Sequence, residues 1–319
     1  MKAAQITRYG APTTLQINDV DRPDPGTGDV LVSVGASSVN GLDTIVRSGG
    51  VRVVTGFRFP IGVGLDFAGV VAATGADVST YQVGDRVWGT VQPLKRCTVA
   101  GAAEYVVVPA DRIGPAPAGF APVESASLVV AGTTALIALR DTLQLTGGER
   151  VLVRGAAGGV GTAAVQLAHA MGAHVTALSR ERHAGALREL GADEVFDYGS
   201  TAPEETGPFD AILDTVGSEL NSFRRRLTRQ GRMATIALSA SSMAAIAASS
   251  VHGARRIRTL SANPDTALLR DLADHVTSGG LRPVVDSVYP LTDIASAHQA
   301  FERGGVVGKQ VVAVAATAK

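Results

Sequence analysis

The sequence predicts an α/β protein in which a barrel-like β unit is followed by a doubly wound parallel sheet domain. Three observations predict it. The chain has 319 residues, more than one domain of ordinary size holds. Its first third is a series of short apolar runs between Gly and Pro, whereas from Val123 onward helix-like and strand-like segments alternate. Such alternation is the pattern of a parallel sheet with helices on both faces. Early in that alternation stands a glycine run, in RVLVRGAAGGVGTAAVQLA over 150–168, where a strand turns into a helix.

In the first third the strand candidates are DVLVSVGAS (29–37), FAGVVAATG (67–75), GDRVWGTV (84–91) and AEYVVVP (103–109). Apolar and β-branched residues between turn formers suit the short strands of a barrel-like unit. The texture changes around PAPAGFAP (115–122). An Ala-rich segment to Leu145 follows, then a strand at 150–154, a helix at 161–171, a strand at 174–179 and a helix at 182–190. Short strands are expected at 194–197, 210–214 and 232–237. MATIALSASSMAAIAASSV (233–251) is the most apolar long stretch, but six of its residues are Ser or Thr. It reads as a core strand running into a loop or helix and not as a membrane span. After Asn263 a helix, DTALLRDLADHVTSG, leads into a strand–helix–strand tail expected to return to the first domain. The expected boundaries are therefore 1–122, 123–262 and 263–319.

Composition narrows the function. There are 29 basic and 29 acidic side chains, so the formal net charge is zero. That argues against a broad electrostatic surface for nucleic acid or anionic lipid. The single cysteine, Cys97, excludes an intramolecular disulfide and any multi-cysteine metal site. The opening MKAAQITRYG lacks the apolar core of a signal peptide. The expectation is a soluble, reduced, cytoplasmic protein without a membrane or nucleic-acid partner.

The glycine run reads as A-x-G-x-x-G through Ala156, Gly158 and Gly161, with Gly159 extra. Between a strand and a helix, such glycines allow a tight turn and bring backbone N–H groups close to a pyrophosphate at the helix N-terminus, where the dipole favours negative charge. Ala157, Gly158, Gly159 and Val160 are the candidates for that contact. The next strand ends in AHVTALSR. Sites that select NAD place Asp or Glu there for the ribose 2′-hydroxyl; here Ser179 and Arg180 stand instead. A carboxylate would repel a 2′-phosphate, whereas Ser and Arg hydrogen-bond and neutralise it. The expected cofactor is NADPH, the plain alternative being that Arg180 is a solvated loop cation.

The motifs VNGLDTIVRSG (39–49), GLDFAGVVAATG (64–75), VGDRVWG (83–89), AGTTA (131–135), GAAGGVG (155–161), FDAILDTVG (209–217) and GKQVV (308–312) together resemble the medium-chain dehydrogenase/reductase superfamily, and within it the zinc-independent quinone oxidoreductase branch, the relatives of zeta-crystallin. The resemblance covers nearly the whole chain. It implies a doubly wound Rossmann domain inserted in a GroES-like catalytic domain built as a partly open β-barrel, and a homodimer through edge strands such as RIRTLSA (256–262). Superfamily members that oxidise alcohols hold zinc with Cys and His in the N-terminal domain. Here no histidine precedes His169 and Cys97 is the sole cysteine, too few donors for such a site, so no metal is expected.

The resemblance also assigns residues. Asn40 is the candidate for the ribose–nicotinamide end or for orienting substrate, unless it only makes a turn. Asp43 and Arg47, spaced i and i+4, suit a helical ion pair. Ile45 stands where the closest quinone reductases often carry Tyr, which implies a more apolar substrate pocket. Thr134 of AGTTA faces the cofactor in the family, or caps its own helix. Tyr198 resembles the residue flanking the adenosine phosphate. Leu238 and Ser239 of IALS, and Ala262 of LSAN, fall in loops near the nicotinamide. Lys309 reaches the cofactor cleft or lies on the surface. Asn40 and Thr134 would serve catalysis by positioning, with no acid/base role.

The expected function is a zinc-independent, NADPH-dependent reductase that transfers hydride to a quinone or an α,β-unsaturated carbonyl. Such acceptors are already electrophilic, so positioning carries most of the work. An enoyl-thioester or pathway-specific enone reductase is the nearest rival. A non-catalytic NADPH- or RNA-binding protein of the crystallin kind is the rival from another class, disfavoured by the balanced charge.

Overall fold

β-Branched residues between turn formers make strands in the first third, as their spacing predicts. The computed structural model describes residues 1–91, 97–237, 239–251, 253–260 and 262–314. The first stretch forms β1 (Lys2–Ile6), β2 (Leu15–Asp19), β3 (Asp29–Ser38), α1 (Gly41–Ser48), α2 (Arg52–Thr55), β4 (Ile61–Gly62), β5 (Asp66–Thr74), β6 (Arg86–Thr90), β7 (Tyr105–Pro109), β8 (Ile113–Pro115) and α3 (Pro122–Leu136). The alternating stretch forms β9 (Arg150–Arg154), α4 (Gly159–Ala170), β10 (His174–Ser179), α5 (Ala184–Glu189), β11 (Glu194–Asp197), β12 (Phe209–Asp214), α6 (Leu220–Arg224), β13 (Leu227–Thr235), α7 (Ala240–Ser249) and β14 (Ile257–Thr259). The tail adds α8 (Thr266–Thr277), β15 (Val285–Pro290), α9 (Ile294–Arg303) and β16 (Lys309–Ala313).

These elements form two compact units. One joins Met1–Val130 with Asn263–Thr277 and Pro283–Lys319; the other joins Ala131–Ala262 with Ser278–Arg282. The change of texture at 115–122 marks where α3 begins, whereas the units part inside that helix, after Val130. Composition reports where a helix starts and not which neighbours each of its turns packs against.

In the first unit β3 is the organising strand. It pairs antiparallel with β5, β7 and β16, within a sheet whose order is β15-β16-β3-β5-β6-β8. Its alternate residues Val30, Val32 and Val34 join Phe67, Val71, Val87 and Ile113 in one core cluster, as the period of two in a strand requires. Pairing of β16 with β3 brings the chain's end beside the segment that opens α1. A smaller sheet, β2-β1-β4, flanks it.

In the second unit all pairings are parallel, in the order β11-β10-β9-β12-β13-β14. By chain order that is 3-2-1-4-5-6, with its topological switch point between β9 and β12, where open α/β sheets bind ligands beyond their carboxyl ends. Leu152, Phe209, Ile212, Leu227 and Met233 fill its core. β13 starts at Leu227, earlier than its apolar run suggests, because Leu227 pairs with Phe209 across an irregularity in register. The helix expected over 182–190 is split into a 3₁₀ turn (Glu181–His183) and α5. Among the described residues one helix, Pro122–Thr142, is long and apolar enough to cross a membrane by length and composition, and it is mostly buried, as in a core helix.

Candidate active site

The glycine run forms the turn between β9 and α4. Gly155 has φ +70°, and a Cβ there would meet Thr215 Oγ1 at 2.2 Å. A Cβ on Gly161 would fall 2.3 Å from the Gly155 carbonyl oxygen and 2.6 Å from Ala156 Cα. Both positions therefore demand glycine. Gly158 is the N-cap of α4 and supplies no side chain to cap it, so the first-turn amides from Gly159 through Gly161 are left for an anion. Ala157 is buried against this turn, and Val160 lies in the helix's first turn.

Beneath the turn lies a buried ion pair. Arg154, the last residue of β9, pairs with Asp214, the last residue of β12, and also donates to the Ser218 carbonyl at 2.7 Å. Asp214 accepts from the Gly217 amide and the Thr235 hydroxyl, each at 2.8 Å. The guanidinium stacks 3.9 Å from the Phe223 ring centroid. Burial lowers the Arg154 pKa and the Asp214 charge opposes that shift. The pair sits at the switch point and holds the loops following β9 and β12 together.

The end of β10 adjoins the turn, for the Gly155 and Ala156 amides both donate to the Leu178 carbonyl. Ser179 is buried, Arg180 is exposed and Tyr198 is half exposed. The Tyr198 amide donates to the Ser179 carbonyl at 3.0 Å, and the Arg180 guanidinium carbon lies 5.5 Å from the Tyr198 ring centroid. The structure thus gathers Ser179, Arg180 and Tyr198 at one strand end, beside the turn of Ala157–Val160. His183 also lies inside this group, in contact with Ser179.

The first unit holds a second polar site, built from the chain's two ends. Asn40 precedes α1, and its amide N–H donates to Asp43 Oδ2 at 2.9 Å. Its side-chain Nδ2 donates to the Ser38 carbonyl and to Asp66 Oδ2, each at 3.0 Å. Lys309 donates through Nζ to Asn40 Oδ1 at 2.6 Å and to the Val39 carbonyl at 2.7 Å. Asp66 also accepts from the Ser38 amide and hydroxyl, each at 2.6 Å, and Asp43 Oδ1 accepts from the Gly64 amide at 3.2 Å. Asn40, Asp43, Asp66 and Lys309 are all buried. Burial pushes Asp43 up to about 7, with the Asp66 charge adding to the rise. Burial raises Asp66 as well, opposed by Lys309, and lowers Lys309, opposed by both carboxylates.

Lys309 is accordingly an interior residue. The i,i+4 pair expected of Asp43 and Arg47 does not form: Arg47 turns instead to the Gly10 carbonyl and to Glu302 of α9, because Asp43 is occupied by two backbone amides. Sequence reasoning also missed Asp66 and Ser38. The available signal was a carboxylate inside an otherwise apolar strand, LDFAG, which must find partners if it is buried.

Asp43, Val46, Leu65, Val91, Cys97 and Ala100 line a small, open depression. Among the described residues Asp43 is the charged group of its walls; Val46 lines it and Ile45 does not. Thr134 is buried in the last turns of α3, too far along to cap that helix. Ser239 caps α7, accepting from the Ser242 amide. Ala262 is half-buried at the end of the second unit. Leu238 lies outside the described residues.

Comparison with known proteins agrees with the fold. Residues 26–118 match the alcohol dehydrogenase GroES-like domain, and residues 190–312 match the zinc-binding dehydrogenase family. The chain is 32% identical to the human mitochondrial NAD(P)H oxidoreductase RTN4IP1, over 98% of this chain and 89% of that protein. It is 31% identical to the chloroplast envelope quinone oxidoreductase homolog of Arabidopsis thaliana, over 98% of each. The quinone oxidoreductase structure from Coxiella burnetii superposes with TM-score 0.91 at 30% identity, covering 99% of each chain. A mycobacterial structure complexed with NADPH superposes with TM-score 0.83 at 27% identity, covering 98% of this chain and all of that one.

Zinc does not fit the donor set here. Among the described residues no three His, Cys, Asp or Glu side chains come together. Asp43 and Asp66 are spent on backbone and side-chain donors, with the Lys309 ammonium donating into the same cluster. The relatives also correct one expectation: they are named mitochondrial or chloroplastic, so cytoplasmic location is not upheld. Charge balance and a lone thiol suit any reducing compartment, and therefore could not single out the cytoplasm.

Proposed function

The chain belongs to the medium-chain dehydrogenase/reductase superfamily, in its zinc-independent quinone oxidoreductase branch, and from that premise we propose an NADPH-dependent reductase acting on a quinone or an α,β-unsaturated carbonyl. As an oxidoreductase it works by moving a hydride, which bound NADPH supplies. The observation that carries the reading is the uncapped, glycine-built N-terminus of α4 beside a strand end bearing Ser179 and Arg180.

The residues divide the work. Amides of the α4 turn hold the pyrophosphate, because they point at it without a competing side chain. Arg180 neutralises the adenosine 2′-phosphate, Ser179 hydrogen-bonds it, and Tyr198 packs against that cation. Lys309 anchors Asn40, whose carboxamide is held by three hydrogen bonds and so keeps the loop entering α1 in one conformation. The depression beside Asp43, with its apolar walls, suits an uncharged electrophilic acceptor that needs orientation more than a Lewis acid. The outer position of β14 in its sheet supports pairing of two copies through that edge, which light scattering on a sizing column would test.

Stopped-flow NADPH oxidation against quinones, enones and enoyl thioesters tests the reading. Turnover is expected with at least one of the first two classes. Absence of turnover with all three would overturn it.

A further inference from the structure

The hydroxyl at the end of β10 is held by a network that defines its hydrogen. Ser179 Oγ lies 3.2 Å from His183 Nδ1, and Arg182 Nε lies 3.0 Å from His183 Nε2. A guanidinium N–H can only donate, so Nε2 holds a lone pair. The ring is then neutral with its hydrogen on Nδ1, and that N–H donates to Ser179 Oγ. The short 3₁₀ turn Glu181–His183 makes the contact local, since the His183 amide donates to the Arg180 carbonyl at 2.9 Å and brings the ring back over Ser179. Both Ser179 and His183 are buried.

The consequence concerns charge selection. One lone pair of Ser179 Oγ is filled by His183, and its own hydrogen has no protein acceptor among the described residues. A phosphate dianion offers only acceptors, so a serine committed to donating suits it. A serine that donated to the imidazole would instead present lone pairs and repel it. A ribose 2′-hydroxyl both donates and accepts, and is indifferent to the choice. We propose that His183 is a positioning residue for cofactor choice: held in its Nδ1–H form by Arg182, it reserves the Ser179 hydroxyl as a donor to the 2′-phosphate. The proposal rests on the NADPH reading above.

Calorimetric titration of the full-length protein with NADPH, NADH, 2′,5′-ADP and 5′-AMP separates the two. His183→Leu should weaken NADPH and 2′,5′-ADP binding about tenfold, the scale of one hydrogen bond to a charged group, and leave NADH and 5′-AMP unchanged. His183→Asn, whose amide N–H can replace Nδ1–H, should recover NADPH affinity to within about threefold of the parent. In a Ser179→Ala background His183→Leu should have no further effect. Nitrogen-15 spectra of the imidazole should report the Nδ1–H tautomer.

Equal weakening of NADH and NADPH by His183→Leu overturns the proposal, as does full additivity with Ser179→Ala or an Nε2–H tautomer. A parent that binds 2′,5′-ADP no more tightly than 5′-AMP overturns the cofactor reading itself, and the proposal with it.

Discussion

In the parallel-sheet unit one buried guanidinium, Arg154, meets one buried carboxylate, Asp214, whereas in the β-rich unit one ammonium, Lys309, stands among two carboxylates, Asp43 and Asp66. The first arrangement is electrically closed. Each partner has further hydrogen bonds to neighbouring loops, and no proton is needed for neutrality. The second carries one negative charge too many if every group ionises. Desolvation in a low-dielectric interior makes that expensive, and the excess is relieved by a proton, which is why Asp43 is pushed up to about 7. A matched pair behaves as a fastener at all ordinary pH values; an unmatched cluster is tied to pH.

The largest test breaks the matched pair. Asp214→Ala strands the Arg154 charge in the interior and should cost about 3–5 kcal/mol in urea unfolding; a loss under about 1 kcal/mol would mean that water or Ser218 already satisfies the guanidinium. Next comes Lys309→Met, which leaves Asn40 and the Val39 carbonyl without their donor. Its cost should be smaller, about 1–3 kcal/mol, because the carboxylates can take up a proton. For the same reason it should grow from pH 5 to pH 8, while the Asp214→Ala cost stays flat.

The third test reads the proton directly. Asp43 has a folded pKa of about 7 against an ordinary value of 3.8, so between these the folded state binds more protons than the unfolded state. By linkage its contribution to stability is present below about 4 and is lost as the pH rises toward about 7. The urea midpoint should therefore fall across that window more steeply in the parent than in Asp43→Asn, whose overall stability is lower. Parallel curves for the two proteins would remove Asp43 as the proton holder. The smallest effect is Arg180→Ala, an exposed cation, which should narrow the NADPH-to-NADH affinity gap about fivefold in fluorescence titration. No change would leave selectivity to Ser179 and His183.

Much of the fold was legible because it follows from local rules. Val30, Val32 and Val34 alternate as a half-buried strand must, and Gly155 and Gly161 sit where a Cβ would collide with backbone or with Thr215. The grouping of Ser179, Arg180 and Tyr198 was legible for the same reason, since they belong to neighbouring strands of one βαβ series. The polar cluster around Asn40 was not. Asp43 and Arg47 have the spacing of a helical pair, yet each is claimed by a partner from elsewhere, Gly64 in one case and Glu302 in the other. Lys309, at the start of a terminal strand, gave no sign of lying inside.

What the sequence determined by itself is what depends on the reach of one residue: element types, the glycine turn, Ser179 and Arg180 in place of a carboxylate at the end of β10, and the shortage of metal donors. These are questions of steric size and inventory, answered within a few positions. Which charge meets which was decided only by the tertiary structure. Lys309 and Asn40 are 269 positions apart, and nothing in either segment's own pattern selects the other. They meet because β16 pairs with β3, and burial then leaves the ammonium no better partner than the carboxamide and carbonyl it finds there.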